Sequence, residues 1–279
     1  MLKDIIVPLM GVGKQSPAIN AAERLAEAQG ASVRIIQIAD LPPTIDGPWD
    51  LGPSATATAA QDAVRQQAEE RARHLRERFA GNPDISIEVH EASTEYPEFL
   101  AARLAHAADL AIVDGWSGAA RPDRDSVRLF NGLLFASGRP VLVMPSHSRA
   151  PLPPACAIVG WTSTPHACRA LHDALPLLQA TKKIHLVHID ATDDITRSEQ
   201  AANDQLLAHL ARHGVQAKMV CLPSKGHPPS VVLLAYASDM KASLVVAGGY
   251  GHSRLREWSI GGMTRELLAS AAIPVLYSH

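Results

Sequence analysis

Five glycines near the C-terminus stand where bare backbone could meet an anion. Gly248, Gly249 and Gly251 follow the apolar run 244–247. Gly261 and Gly262 precede a helical pattern over 263–271, and 273–277 is apolar again. Strand, glycine loop, helix, strand is the order that a phosphate site requires. Glycine lets backbone approach a ligand and adopt positive φ. A helix N-terminus just beyond presents unpaired N–H groups and the positive end of its dipole. Other chemistries are poorly supplied. No Gly-x4-Gly-Lys-Ser/Thr loop is present. Ser253 and Ser259 have no base at fixed spacing and no GxSxG elbow, so no catalytic residue is expected. Nine of the 13 histidines lie beyond position 165, which raises the question of a metal, and His209 and His213 share a helix face at i,i+4. No HExxH, CxxC or carboxylate pair completes a ligand set, so none is expected.

These residues need a scaffold, and the hydrophobic pattern supplies one. Residues 4–9 form a β-type run, and Ser16 followed by Pro17 reads as an N-cap with proline at the first helical position. Apolar positions 18, 21, 22, 25 and 26 give that helix an inward face, and Gly30 ends it. Strand patterns follow at 33–38, 85–89, 110–113 and 140–144, with helices at 61–79, 97–107 and 129–136. Residues 41–58 read as a long Pro/Gly/Ser/Thr loop. The charges on 61–79 describe a solvated face with i,i+4 pairs. After a proline-rich linker the pattern restarts, with strands at 157–160, 184–189, 215–221, 244–247 and 273–277. The helices between them fall at 165–179, 198–213, 230–237 and 263–271.

The chain is therefore an internal repeat. Leu134, Pro140 and Val141 stand 134 residues before Leu268, Pro274 and Val275, and Asp109 to Val113 stand at the same offset from Ser243 to Ala247. At that offset Gly248, Gly251, Gly261 and Gly262 face Asp114, Ser117, Val127 and Arg128. The first-half loop keeps Gly115 and Gly118 out of register. Each half is expected to be an α/β domain, a doubly wound open sheet of five mainly parallel strands. The boundaries are 1–146, a linker at 147–153, and 154–279.

The spacing Gly248-x2-Gly251-x9-Gly261 resembles the nucleotide loop of the universal stress protein family, whose pattern is G-x2-G-x9-G followed by Ser or Thr. Here the following residue is Gly262, and the nearest hydroxyl is Thr264. The resemblance implies a tandem chain binding an adenine nucleotide, ATP or AMP with Mg2+ where one is bound, in its second half. Carried over by position, the site comprises Gly160, Trp161 and Thr162 after the first strand and Ile189 at the end of the second. From the loop and following helix come Gly248, Gly251, His252, Arg254, Gly261, Gly262, Met263 and Thr264. The family's base-side aspartate falls on Thr162, and on Met10 in the first half. A hydroxyl supplies no charge there, a loss on the order of 1–3 kcal/mol. Asp190, at the second strand's end, could replace that acid in part. The first half reads as a copy that kept the scaffold and lost the site. The family further implies an intramolecular pseudo-dimer through the last strands, 140–144 and 274–277, and allows a homodimer. The implied role is regulatory rather than rapidly catalytic, in stress response. Two alternatives stay open: a scaffold of the same fold acting through protein partners, and a weak nucleotide hydrolase.

Composition excludes several classes. A length of 279 residues suits two domains, and 47% hydrophobic with 19% charged residues describes a globular chain with a real core. A net charge of −2 draws the protein to neither nucleic acid nor an anionic membrane. No run approaches the roughly 18 apolar residues of a membrane span, and the first residues read as a strand rather than a signal peptide. Cys156, Cys168 and Cys221, odd in number and scattered, fit a reducing cytoplasm.

Overall fold

A computed structural model of the chain describes all residues except 12–15, 44–54, 94, 117–122, 191–196 and 250–261. The described chain divides into two compact units.

The first unit spans 2–113 and 123–139. Its strands are β1 (Asp4–Leu9), β2 (Ser32–Asp40), β3 (Ile85–Ala92) and β4 (Leu110–Asp114), arranged β3-β2-β1-β4. All pairings are parallel, with Ile5 opposite both Val33 and Leu110 and Val33 opposite Ile85. Parallel strands need helical crossovers, which cover both faces and explain the near-continuous apolar runs of β1, β2 and β4. The helices are α1 (Pro17–Gln29), α2 (Ala55–Arg78), α3 (Pro97–Ala105) and α4 (Arg124–Ala136). Helix α1 begins as its sequence requires. Ser16 accepts from the Ile19 N–H, Pro17 leads the first turn, and Gly30 closes the end at φ 61°. Helix α2 starts at Ala55, so the expected loop over 41–58 gives its last four residues to the helix, which lays Ala68, Ala72 and Leu75 on the sheet. Alanine and threonine there carry no breaker, and helix propagation costs little once a long helix has nucleated.

The second unit comprises 140–279 with 114–122. Its strands are β5 (Val141–Met144), β6 (Cys156–Gly160), β7 (Lys183–Ile189), β8 (Ala217–Leu222), β9 (Leu244–Gly248) and β10 (Val275–Ser278), arranged β5-β10-β9-β6-β7-β8. From β10 to β8 every pairing is parallel. Strands β10 and β5 are antiparallel, with Val275 opposite Val143 and Tyr277 opposite Val141. That pairing occupies an edge that would otherwise expose N–H and C=O groups. Its helices are α5 (Pro165–Asp173), α6 (Leu175–Leu178), α7 (Arg197–Arg212), α8 (Pro229–Asp239) and α9 (Gly262–Ser270). The single helix expected over 165–179 is two helices. Pro176 has no N–H for the carbonyl four residues back, so the chain breaks at Ala174 and restarts. Both halves thus carry the strand order third-second-first-fourth, the doubly wound α/β arrangement. Among the described residues no helix is long and apolar enough to cross a membrane.

Candidate functional site

In an open parallel sheet the ligand crevice lies beyond the carboxyl ends of the strands, where strand order reverses. In the second unit that point falls between β6 and β9, because β6 is flanked by β7 on one side and β9 on the other. Gly160 ends β6. A Cβ there would lie 3.3 Å from Leu233 Cδ2 and 3.8 Å from Met263 Cε, so Gly160 and Met263 border the same space. Met263 is among the exposed large hydrophobic residues. Gly262 opens α9, and nothing lies within 4 Å of a Cβ built on it.

The residues after β6 are held by their own turn. The Trp161 N–H donates to Val187 O at 2.8 Å, and the ring is buried. Thr162 Oγ1 lies 3.1 Å from Thr164 Oγ1, and the Thr164 N–H donates to Thr162 O at 2.7 Å. Thr164 caps α5, accepting from the Ala167 N–H, with Pro165 at the first helical position. This is the Thr-Pro version of the Ser16-Pro17 start, and the same signal in the sequence locates it. Thr162, at the base-side position, is exposed and partnered by another hydroxyl rather than by a charge.

Gly248 stands at the end of β9, where its bare backbone is closely approached by another element. A Cβ on it would sit 2.8 Å from Ala167 N, 2.8 Å from His166 C and 3.0 Å from His166 O. The first turn of α5 therefore lies on the bare backbone of Gly248. Beside it the Gly249 N–H donates to Ser278 O at 2.7 Å. His279 Nδ1 is 3.4 Å from Gly249 O, and the rings of His166 and His279 stack with centroids 4.9 Å apart. Burial, then the charge of His279 and that of Arg169, lower the proton affinity of His166.

The structure also places other residues singled out by sequence. Thr264 is 3% exposed, so its side chain is packed inside the protein. Ile189 ends β7 opposite Leu222. Asp190 adopts φ 55°, and its Oδ1 accepts the Ser224 N–H at 2.7 Å. Hydrogen bonds from Ser224 hold its carboxyl below the usual range. This acid is committed to the turn after β8. Gly251, His252, Arg254 and Gly261 lie outside the described residues. Sequence reasoning passed over one contact that seats α9: buried Ser230 on α8 donates to Glu266.

The equivalent place in the first unit, between β1 and β4, carries carboxylates. Asp123 caps α4 by accepting from the Ser126 N–H at 2.9 Å. A Cβ on Gly11 would lie 3.7 Å from Asp125 Oδ2. Burial, with Asp123 next, raises the Asp125 pKa. Arg71 Nη1 donates to the carbonyls of Met10 and Gly11 at 3.0 and 2.9 Å. Arg128 joins Asp40 and Glu98, each at 2.8 Å. Val127 and Arg128, the counterparts of Gly261 and Gly262, lie within helix α4. Acidic groups at a helix N-terminus occupy the field that an anion would use.

Geometry and topology together define a two-fold repeated, doubly wound α/β protein whose second switch point, after β6 and β9, is bordered by Gly160, Gly248 and Gly262. Comparison with known proteins gives that class a family: the model of the Universal stress protein family matches residues 158–279. The match falls in the C-terminal half, which is thus similar to a universal stress protein domain. Among solved structures, a universal stress protein from Archaeoglobus fulgidus DSM 4304 superposes with a TM-score of 0.72 at 14% identity, over 99% of this chain and 97% of that one. A protein provisionally assigned to the same family, from Pseudomonas aeruginosa UCBPP-PA14, gives 0.59 at 18% identity over 99% and 93%. A functionally unknown protein from Pseudomonas aeruginosa PAO1 gives 0.58 at 17% identity over 99% and 92%. At these identities the likeness is one of fold. No curated protein sequence matches the chain.

Proposed function

We propose that the C-terminal half binds an adenine nucleotide, ATP or AMP, in the crevice beyond β6 and β9, and that binding regulates the protein rather than feeding rapid turnover. The observation that carries this reading is the switch point itself. Gly160 and Met263 border one space, and α9 opens at Gly262 with room beside its backbone. The base lies toward Trp161, Thr162 and the end of β7, and the phosphates toward the start of α9. Asp114, Asp123 and Asp125 make the first-half counterpart unsuited to an anion, so one nucleotide per chain is expected. An intramolecular pseudo-dimer of the two halves belongs to the same reading. A cytoplasmic protein, alone or as a homodimer, fits this reading.

Calorimetry on the full chain with ATP and with AMP, each with and without Mg2+, tests the proposal. Thr162→Asp restores a charge at the base-side position and should tighten binding about tenfold, equivalent to about 1.4 kcal/mol. Absence of heat at millimolar nucleotide for both proteins would favour the second reading, a scaffold acting through partners. Specific geometry recommends that alternative: α5 accounts for Gly248 without any ligand, and Thr162 is already engaged by Thr164.

A further inference from the structure

Two imidazoles that the sequence keeps far apart are brought edge to edge on the surface of the second unit, their rings tilted by 46°. His172 lies in the last turn of α5 and His209 in the last turn of α7. Their Nε2 atoms are 3.2 Å apart, with His172 exposed and His209 half-buried. Each ring sits at a helix C-terminus, where the negative end of the dipole favours a cation, although Arg212 on the same turn opposes it.

His172 is pre-set in one tautomer. Its Nδ1 lies 2.8 Å from Cys168 O, and a carbonyl can only accept, so Nδ1 carries the hydrogen and Nε2 presents its lone pair to His209. An Nδ1–H donated to a backbone carbonyl is the outer hydrogen bond that orients metal-ligating histidines. Without metal, Nε2 of His209 must supply the hydrogen between the two rings. Moving that hydrogen to Nδ1 of the same ring frees a second lone pair, and neither imidazole has to lose a net proton.

We propose that His172 and His209 form an exchangeable site for a borderline first-row divalent ion of the Zn2+, Ni2+ or Cu2+ class, bound through both Nε2 atoms. The separation fits the bite of one ion. With Zn–N bonds of about 2.0–2.1 Å, a 3.2 Å gap corresponds to an N–Zn–N angle of about 99–106°, close to tetrahedral. Imidazole nitrogens select these ions over Mg2+ and Ca2+, which prefer oxygen. Among the described residues no group of three or more His, Cys, Asp and Glu could hold a metal. The protein therefore supplies two ligands and leaves the other positions to water or a small anion, which makes the site labile. Bound metal would staple α5 to α7. His213, whose ring centroid is 4.6 Å from that of His209, crowds the pair without completing a cage.

Titration calorimetry of the full chain with ZnCl2, and electron paramagnetic resonance with one equivalent of Cu2+, test this directly. The expected results are one saturable Zn2+ site and hyperfine splitting from two imidazole nitrogens. Replacing an oriented ligand should weaken Zn2+ by more than about tenfold, since losing even an outer hydrogen bond costs that much. His172→Ala and His209→Ala should each do so, whereas His227→Ala leaves the affinity unchanged. The proposal is overturned if wild type binds no Zn2+, if both ligand variants bind as tightly as wild type, or if the copper spectrum shows fewer than two nitrogens.

Discussion

Replacing Gly248 by alanine separates a packing glycine from a ligand-facing one. The new methyl would stand 2.8 Å from Ala167 N and His166 C, both backbone atoms that cannot rotate away. Ordinary contact begins near 3.4 Å, so the first turn of α5 must retreat by about 0.6 Å. Overpacking of this kind costs about 1–3 kcal/mol. The retreat also strains the cap in which Thr164 Oγ1 accepts from Ala167 N, a contact worth about 1 kcal/mol. The sum, about 2–4 kcal/mol, corresponds to a Tm lower by about 4–16 °C at 2–4 °C per kcal/mol. Gly262→Ala is the matched control from the same glycine pattern. Nothing lies within 4 Å of its added methyl, so reduced freedom of the unfolded chain should stabilise by about 0.4–1 kcal/mol. Scanning calorimetry at one scan rate, without nucleotide, compares the two. If Gly248→Ala melts with wild type, Gly248 is not held by α5 and the packing argument fails.

The first unit offers two further tests. Arg128, 21% exposed and bonded to both Asp40 and Glu98, leaves two carboxylates uncompensated when changed to methionine. A loss of about 1–3 kcal/mol is expected in the free energy of urea unfolding of that unit. The loss should shrink in high salt, where screening mutes the repulsion, and a salt-independent loss would point to packing instead. Glu88 accepts from Arg34 at 3.1 Å and from His90 at 2.9 Å, and Arg34, the larger influence, holds its pKa below the ordinary value. A depressed carboxyl contributes stability that is fully present above its unfolded pKa of about 4.3 and is lost as pH falls through the folded value. Glu88→Gln should therefore flatten the stability profile below about pH 4.5. A variant that parallels wild type through that range would show that Glu88 is not coupled to folding. The nucleotide test at Thr162 and the metal test at His172 and His209 probe the second unit separately, so failure of one leaves the other standing.

Local signals in the sequence determined the elements and their order. Ser16-Pro17 and Gly30 bound α1 because a cap and a left-handed closure are decided within a few residues. The run of β-branched and apolar residues from Ile5 to Val7 needs only helices on both faces to become a buried parallel strand. The offset of 134 residues between the halves survives in the structure. Strand β4 at Leu110–Asp114 stands to β9 at Leu244–Gly248 as β5 at Val141–Met144 stands to β10 at Val275–Ser278.

What the sequence left undecided concerns which partner claims each residue at the strand ends. Gly248 belongs to a phosphate-type glycine pattern, yet the atoms nearest its missing side chain are those of His166 and Ala167 in α5, more than eighty residues earlier in the chain. Thr264 is the nearest hydroxyl in the pattern but points into the interior, and Asp190 is taken by the backbone of Ser224. His172 and His209 are separated by helix α6, strand β7 and most of α7, and only the tertiary fold sets their nitrogens 3.2 Å apart. Short-range rules act on φ, ψ and capping within one or two turns. Contacts across a doubly wound sheet depend on how crossover helices settle over strands distant in the chain, and no local pattern encodes that settlement.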